Sequence, residues 1–415
     1  MHILLLKPKA LYVISRFAQA CARAGVDLTV LMASKPPTRQ YLVSFENEAM
    51  QTIEALDVDD ENVEAMAAAL GRYDAVVAGG EYTAIFGERL AARLGVFHNP
   101  LEPAASYRDK HQMRQRFAEA GVSQPRLLAR FANMHEVQAH DWAAVRFPVI
   151  VKPVDMSSSF YVRRCEDAES ARKVYRRIFM HSQSFAGVGF SAQGLLEELA
   201  PGPEYSAECV VEDGQLRAIF LTSKLLSAYP SCDEVGHLSG EPWASAAMQA
   251  QARAAAEGVV RAWQLHSGVM HLEFKWHDGE LKVIEAACRV AGDMISVLVE
   301  MRYGVSLEEC LVRLRCRGQL ALALGRHTPQ GDGHCYGIKY LFHENIGTVP
   351  GPGIEVLESV RFAKEDTGAA GYGVDSRLGY KLVRSRSHAL LKRYVGALIA
   401  ADATCAAAET LEVTT

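Results

Sequence analysis

Four separated stretches of the chain carry the charges that a phosphate-handling centre needs. They are Arg108-Asp109-Lys110, Lys152 ahead of Met156-Ser157-Ser158-Ser159, Glu197-Glu198 ahead of Gly202-Pro203-Glu204, and His271-Leu272-Glu273 followed by Glu285-Ala286-Ala287-Cys288-Arg289. Lysines beside a polyanion form charge-assisted hydrogen bonds with it. Glu273 and Glu285 flank Asp278-Gly279 at nearly equal distances, and Asp-Gly between apolar runs signals a two-residue hairpin. Opposed side chains of a hairpin sit about 4.5–5.5 Å apart. Two carboxylates that close repel each other unless a cation lies between them, and Mg²⁺ takes one or two carboxylates plus substrate phosphates. By itself the pair reads either as a Mg²⁺–nucleotide site or as two solvated glutamates on an exposed face.

The elements that hold these groups follow from the apolar pattern. Over the first hundred residues Ile3–Leu6, Leu28–Met32 and Ala75–Ala78 read as short strands, with helices through Ala18–Ala24 and Phe86–Leu94. That alternation implies an open parallel sheet faced by helices. Lys7-Pro8-Lys9-Ala10 follows the first strand where G-x-G-x-x-G would stand, so a Rossmann-type dinucleotide site is not expected. Lys110 to Ala120 reads as a helix closed by Gly121, and Phe147–Pro153 as a buried strand returning through Tyr161-Val162-Arg163 after a small-residue tip. From Leu195 the chain turns strand-rich (Leu195–Leu199, Tyr205–Val211, Leu216–Thr222, Val269–Trp276, Leu281–Ala286), with Asp213-Gly214 and Asp278-Gly279 as hairpin turns. Ala244–Ala256 reads as a solvent-flanked helix, the residues after about 318 as a small mixed module ending in a helix from Ser387, and the tail after Ala401 as frayed.

Length and composition set outer bounds. The 415 residues correspond to two to four domains of about 100–200 residues each. Lys and Arg total 44 against 49 for Asp and Glu, a net charge of −5, and no dense basic run appears; a general nucleic-acid binder is excluded. No apolar stretch reaches the roughly 18 residues of a bilayer span, so no membrane partner is expected. Nine scattered cysteines without a C-x-x-C spacing argue against a disulfide framework or a zinc knuckle and point to a cytoplasmic setting.

In order and spacing, these segments resemble the ATP-grasp superfamily of carboxylate–amine ligases. The resemblance runs from about Asp74 to Leu391. It is carried by Arg108-Asp109-Lys110 with Arg114, Ala120-Gly121-Val122-Ser123-Gln124-Pro125, Pro148-Val149-Ile150-Val151-Lys152-Pro153, Glu197-Glu198 before Gly202-Pro203-Glu204, Lys224, His271-x-Glu273 and Glu285-x-x-x-Arg289-x-x-Gly292-Asp293. It implies an α/β ATP-grasp fold in three parts. Residues 1–102 would form an N-terminal open parallel sheet, residues 103–194 a central α+β domain with the ATP lid, and residues 195–415 a C-terminal antiparallel-sheet nucleotide and metal domain, with the appended module from about 318.

The resemblance also implies roles. Lys110 and Lys152 match the lysines on the nucleotide phosphates, and Ser157, Ser158 and Ser159 match the loop that folds over them, which is richer in glycine in the family. Glu197 matches the adenine-side acid, the backbone of Glu198, Leu199 and Ala200 the adenine-facing hinge, and Glu204 the carboxylate on the ribose hydroxyls. Lys224 matches a further phosphate-side lysine, Glu273 and Glu285 the metal carboxylates, and Arg289 the arginine that steadies the acyl phosphate and tetrahedral intermediate. The implied cofactors are ATP and Mg²⁺, with Mn²⁺ as the alternative ion. Many members carry asparagine where Ala287 stands, which leaves one or two metal ions open. His271 reads equally as a family residue or a satisfied core histidine, and Cys288 as a packing residue.

Within the superfamily the chain is most similar to the L-amino-acid ligases, which join two unprotected amino acids. Asp233-Glu234-Val235-Gly236-His237 is similar to their E-x-G-H segment near the amino-acid pocket; Glu234 would pair with a substrate ammonium, and His237, with Arg289 and Gly292, would orient the reacting groups. Gly240-Glu241-Pro242-Trp243 departs from the family's proline pattern. The implied partners are small-molecule amino acids, and a homodimer is left open. Three alternatives stand beside this reading: an ATP-dependent ligase loading an amino acid onto a carrier-protein thiol or another amine-bearing metabolite, a biotin-carboxylase-like enzyme, whose glycine-rich lid is missing here, and a non-catalytic nucleotide-binding protein. An acyl phosphate must be kept from water, and Gln124–Gly194 is the expected lid.

Overall fold

The computed structural model describes residues 1–6, 11–31, 50–53, 63–180, 190–227, 232–239, 244–316, 324, 333–343, 349–362 and 376–413. Lys7-Pro8-Lys9-Ala10, Gly240-Glu241-Pro242-Trp243, Gly347-Thr348 and positions 181–189 of the expected lid lie outside the described residues.

Strands β1 (His2–Leu6), β2 (Asp27–Leu31), β3 (Met50–Ile53) and β4 (Ala75–Ala78) pair in parallel in the order β3-β2-β1-β4. Leu4, Leu5 and Leu6 are all buried, because helices cover both faces: Leu5 joins the core under the helix Leu11–Ala24, and Leu4 and Leu6 the core under Ala84–Leu94. This explains why the strand reads as an unbroken apolar run rather than an alternation. The strand order reverses between β1 and β4, and open α/β sheets bind ligands beyond the carboxyl ends of their strands at such a switch point. Gly79-Gly80-Glu81 leaves β4 there.

The second sheet is antiparallel. It contains β5 (Leu127–Phe131), β6 (Val149–Pro153), β7 (Arg163–Cys165) and β8 (Gly194–Glu198) in the order β5-β8-β6-β7. The helix Ala168–Met180 covers one face through Ala171, Tyr175 and Ile178, spaced i, i+4, i+7, which pack with Val149, Val151 and Leu196. A Cβ on Gly194 would stand 2.6 Å from the Tyr175 ring, so only glycine fits beneath that helix. Because side chains alternate along a strand, Ile150 and Lys152 leave β6 on the opposite, cleft-facing side.

The third sheet has eight antiparallel strands: β9 (Glu204–Glu212), β10 (Gln215–Leu226), β11 (Glu234–Ser239), β12 (Gly268–His277), β13 (Glu280–Ala287), β14 (Cys335–Leu341), β15 (Glu355–Arg361) and β16 (Gly379–Ser385). Their order is β13-β12-β9-β10-β11-β14-β16-β15. Asp213-Gly214 and Asp278-Gly279 have φ of 50°, 73° and 49°, 82°; positive φ at both central residues is the type I′ hairpin turn that Asp-Gly favours. On β12, Met270, Leu272 and Phe274 face the core, while His271, Glu273 and Lys275 face the cleft. Glu273 and Glu285 are paired in register, as the hairpin reading predicts. The register shifts between Glu273 and Phe274, whose partners are Glu285 and Val283. The extra residue, Ile284, absorbs the one-residue inequality of the two arms. This bulge turns both Ile284 and Glu285 toward the cleft.

The helix Ala246–Trp263 is flanked by solvent along one side of its first half, where Ala247, Gln249, Ala250, Arg253 and Ala254 are exposed, and packs its other side on the large sheet through Met248, Ala252, Ala255, Ala256, Val259, Val260 and Trp263. Its alanines allow close approach to neighbours, and a Cβ on Gly258 would lie 2.7 Å from Val122. The segment after about 318 supplies β14, β15 and β16, which extend the large sheet from β11. At that junction a Cβ on Gly236 would meet the Ile338 carbonyl oxygen at 2.5 Å, so the two strands pair only with glycine there. The last helix runs His388–Val413.

Candidate active site

The three sheets meet at a cleft of about 1140 Å³, counting its open mouth. Of the residues singled out in the sequence, Lys110, Lys152, Ser158, Ser159, Glu197 to Ala200, Glu204, Glu234, Glu273, Glu285, Arg289 and Gly292 line it. Ser157, Lys224 and His237 stand just behind that lining: Ser157 Oγ donates to Tyr82 Oη at 3.0 Å, and Lys224 and His237 are buried under the acidic side chains.

Lys110 is placed by its own helix start. Asp109 caps the helix Lys110–Glu119, accepting from the His111 and Gln112 backbone N–H groups. Lys110 Nζ then reaches the Met156 carbonyl at 2.5 Å and Glu285 Oε1 at 3.0 Å. Burial pulls its pKa down, but Glu285 and Glu81 outweigh that and raise it. Lys152 Nζ lies 2.8 Å from Glu197 Oε2, and Arg114 holds the same carboxylate through Nε–Oε1 at 2.8 Å and Nη2–Oε2 at 3.2 Å. Burial and the Arg114 charge win over Glu197 here, and the Lys152 pKa falls to about 8. Burial works against the Glu197 carboxylate, yet its two cations hold it below the ordinary range. Glu197 is thus the counter-ion that seats Lys152, with both oxygens engaged.

The acidic half of the cleft is built on Lys224. Its Nζ contacts Glu204 at 2.9 Å, Glu234 at 2.8 Å and Glu273 at 2.6 Å; against the cost of burial, these three raise its pKa well above the usual value. Glu204 also meets Lys275 at 3.2 Å. His271 bridges Glu208 (2.9 Å) and Glu273 (2.9 Å), and the two carboxylates overcome burial to raise it to about 10; it is buried with both ring nitrogens engaged while lining the cleft. For Glu285, burial and the charges of Glu81 and Glu273 outweigh Lys110, and its pKa rises. Glu273 and Glu285 offer hard oxygen donors from adjacent strands, and their mutual repulsion is what a divalent cation would relieve. That donor set fits Mg²⁺; Ala287 supplies no ligand atom.

Arg289 Nη2 lies 3.0 Å from Glu81 Oε2. Glu81, buried in the short turn after β4, lines the cleft from the N-terminal sheet and was missed in the sequence. Its signal was the Gly-Gly pair that ends a parallel strand at the switch point. The serine loop carries Ser158 at φ 62°, Ser159 at 53° and Tyr161 at 56°, a left-handed region that glycine enters freely and serine enters at a cost of about 1–3 kcal/mol each.

Glu234 and His237 lie on β11. His237 is fully buried, with Nε2 3.4 Å from Glu234 and 3.8 Å from Asp293. The ligand atoms of these three residues all fall within 4.8 Å of one another. A metal ion there would compete with resident cations, because Lys224 holds Glu234 and Arg377 holds Asp293 through both oxygens. Burial and the charges of Asp293 and Glu273 raise the Glu234 pKa despite Lys224, whereas Arg377 and His237 overcome burial to hold Asp293 well below the carboxylate range. Cys288, as expected, is buried, and its thiol is pushed up to about 12 by burial and Glu88.

Residues 145–297 match the ATP-grasp domain family. The alanine–anticapsin ligase of Bacillus subtilis is 25% identical over 332 residues, covering 73% of this chain and 67% of that protein. The solved L-amino acid ligase from Bacillus licheniformis superposes with a TM-score of 0.75 at 17% identity, over 96% of each chain. The ATP complex of carboxyaminoimidazole ribonucleotide synthase from Aspergillus clavatus gives 0.68 at 14% identity, over 97% of this chain and 98% of that one. Residues 145–297 thus carry an ATP-grasp domain, and the proteins to which the chain is similar include ligases. The expected α/β ATP-grasp architecture is the one observed.

Proposed function

We propose that the protein activates an amino-acid carboxylate as an acyl phosphate at the expense of ATP and couples it to the amine of a second L-amino acid, releasing a dipeptide, ADP and phosphate. The observation that carries this reading is the convergence of Lys110, Lys152 and the Glu273–Glu285 pair, from three separate elements, in one cleft that also holds Arg289. The kinship with an alanine–anticapsin ligase and the fold of an L-amino acid ligase support it.

A carboxylate is a poor electrophile, so a bond from its oxygen to the γ-phosphorus must form while the bond to ADP breaks. The second substrate then sheds a proton, its neutral nitrogen attacks the acyl carbon, and phosphate departs. The protein mainly positions reactants and neutralises charge. Lys110 and Lys152 sit where they would receive phosphates, with Ser158 and Ser159 over them. The Glu198–Ala200 backbone would face the adenine and Glu204 the ribose, with Lys224 and Lys275 orienting its carboxylate. Glu273 and Glu285 would hold Mg²⁺, or Mn²⁺, which when bound screens the phosphate charge. Arg289, oriented by Glu81, would meet the acyl phosphate, and Glu234 and Gly292 border the substrate end. The segment 124–194 would close as the lid.

The eight described cysteines are all free thiols, which suits a cytoplasmic location, and no helix among the described residues is long and apolar enough to cross a membrane. The test is a screen of amino-acid pairs for phosphate release, with mass spectrometry of products. Amino-acid-dependent ADP formation with a dipeptide supports the reading. ADP formation with an aminoacyl thioester on a carrier and no dipeptide redirects it, and no amino-acid-dependent turnover refutes it.

A further inference from the structure

The acidic end of the cleft is built partly by residues that lie beyond the matched ATP-grasp domain. Arg377, buried just before β16, forks onto Asp293 with Nη1–Oδ1 at 2.8 Å and Nη2–Oδ2 at 2.9 Å, and its Nη2 also reaches the Glu234 carbonyl at 3.3 Å. The guanidinium stacks 3.6 Å from the Tyr340 ring centroid, and Tyr340 Oη donates to the Asp293 carbonyl at 2.6 Å. Asp293 is therefore pinned by both its side chain and its backbone. It needs pinning: Asp293 and Met294 are consecutive non-glycine residues with φ of 54° and 57°, a conformation that persists only where its surroundings impose it. Asp293, Gly292 and Glu234 line the cleft, whereas Arg377 and Tyr340 do not.

We propose that Arg377, supported by Tyr340, is a positioning residue that fixes Asp293 and the Glu234 backbone so that the acidic end of the cleft accepts the ammonium group of an amino-acid substrate. The inference rests on the ligase reading above. A bidentate arginine cancels much of the carboxylate's long-range charge but leaves lone pairs free and aimed, so the consequence is geometric recognition rather than bulk attraction. Arg377 acts on the substrate end and not on the nucleotide end, where Lys110 and Lys152 are held by Glu285 and Glu197.

The experiment is a double-mutant cycle of Arg377→Met and Asp293→Ala, with Arg377→Lys as the conservative variant, on the full chain. Steady-state kinetics give separate KM values for ATP and for the amino acid, and direct nucleotide binding confirms that each variant is folded. Arg377→Met should raise the amino-acid KM by about 10- to 100-fold, the scale of a misplacement of about 1 Å, with KM for ATP within twofold. Arg377→Lys should recover part of that loss, and the double variant should be no worse than Asp293→Ala alone. An unchanged amino-acid KM, a rise in both KM values together, or additive losses in the double variant would overturn the assignment. If Arg377→Met fails to bind nucleotide, Arg377→Lys decides alone, since it keeps the charge but loses the fork. A wild-type protein without amino-acid-dependent turnover would sink the ligase reading itself, and this assignment with it.

Discussion

Lys110 and Lys152 are the same residue type, both buried and both facing one cleft, yet their surroundings push them in opposite directions. Lys110 shares space with two carboxylates, Glu285 and Glu81, and its pKa rises; Lys152 shares one carboxylate with Arg114 and falls to about 8. Burial acts against both and two carboxylates favour each, since Glu285 also acts on Lys152, so the neighbouring Arg114 cation is what sets Lys152 apart. At pH 7 both lysines are cations, Lys152 with the smaller margin before it loses its proton.

Replacing either lysine with alanine should separate the two by stability while uniting them by activity. Turnover should fall by about 10²–10³ in each, the size of a lost preorganised electrostatic contact, measured as amino-acid-dependent phosphate release; near-normal rates in either would remove it from the site. Glu197→Gln breaks the comparison from the other side. It leaves Lys152 and Arg114 buried without their counter-charge, and should destabilise the fold by about 3–5 kcal/mol, read from chemical denaturation. A change under about 1 kcal/mol would mean that the triad is not closed as described.

The pH dependence sharpens the contrast further. In the free protein Lys152 loses its proton as pH rises through about 8, and phosphates bind the charged form. Nucleotide affinity should therefore hold below that pH and weaken above it, by up to about tenfold per unit, while Lys110 stays charged. Arg114→Met removes a cation that depresses Lys152 and should move the break upward; a flat profile from pH 7 to 9.5 would contradict the assignment. The smallest effect belongs to Ala287→Asn, which adds an oxygen donor beside the Glu273–Glu285 pair. It should lower the Mg²⁺ concentration needed for half-maximal turnover several-fold with little change in kcat.

Much of the site was legible because charge-bearing residues stood at strand ends and around turn dipeptides. Asp278-Gly279 located the hairpin, and the hairpin located Glu273 against Glu285. Glu81 was not legible, because a lone glutamate after a strand has no partner in the linear chain. Arg377 was equally silent: it lies 84 residues from Asp293. The bulge at Ile284 was visible only as an inequality of one residue between two arms. The alanine-rich helix shows both characters, one side exposed and one packed on the sheet, because small side chains suit close packing as readily as solvent.

Sequence alone determined the local elements here, since strand alternation, Asp-Gly turns and the Asp109 cap depend on neighbours a few residues away. It also determined which residue types were available for chemistry. Tertiary structure decided which charges meet: that Glu197 serves Lys152 and Arg114, that Lys224 gathers three glutamates, and that the C-terminal strands extend the large sheet and deliver Arg377 to Asp293. Ionisation and orientation arise from groups on different elements, such as Lys152 with Glu197 and Arg377 with Asp293, that folding brings together. Such Coulombic and packing terms act through space, and the linear order does not record them.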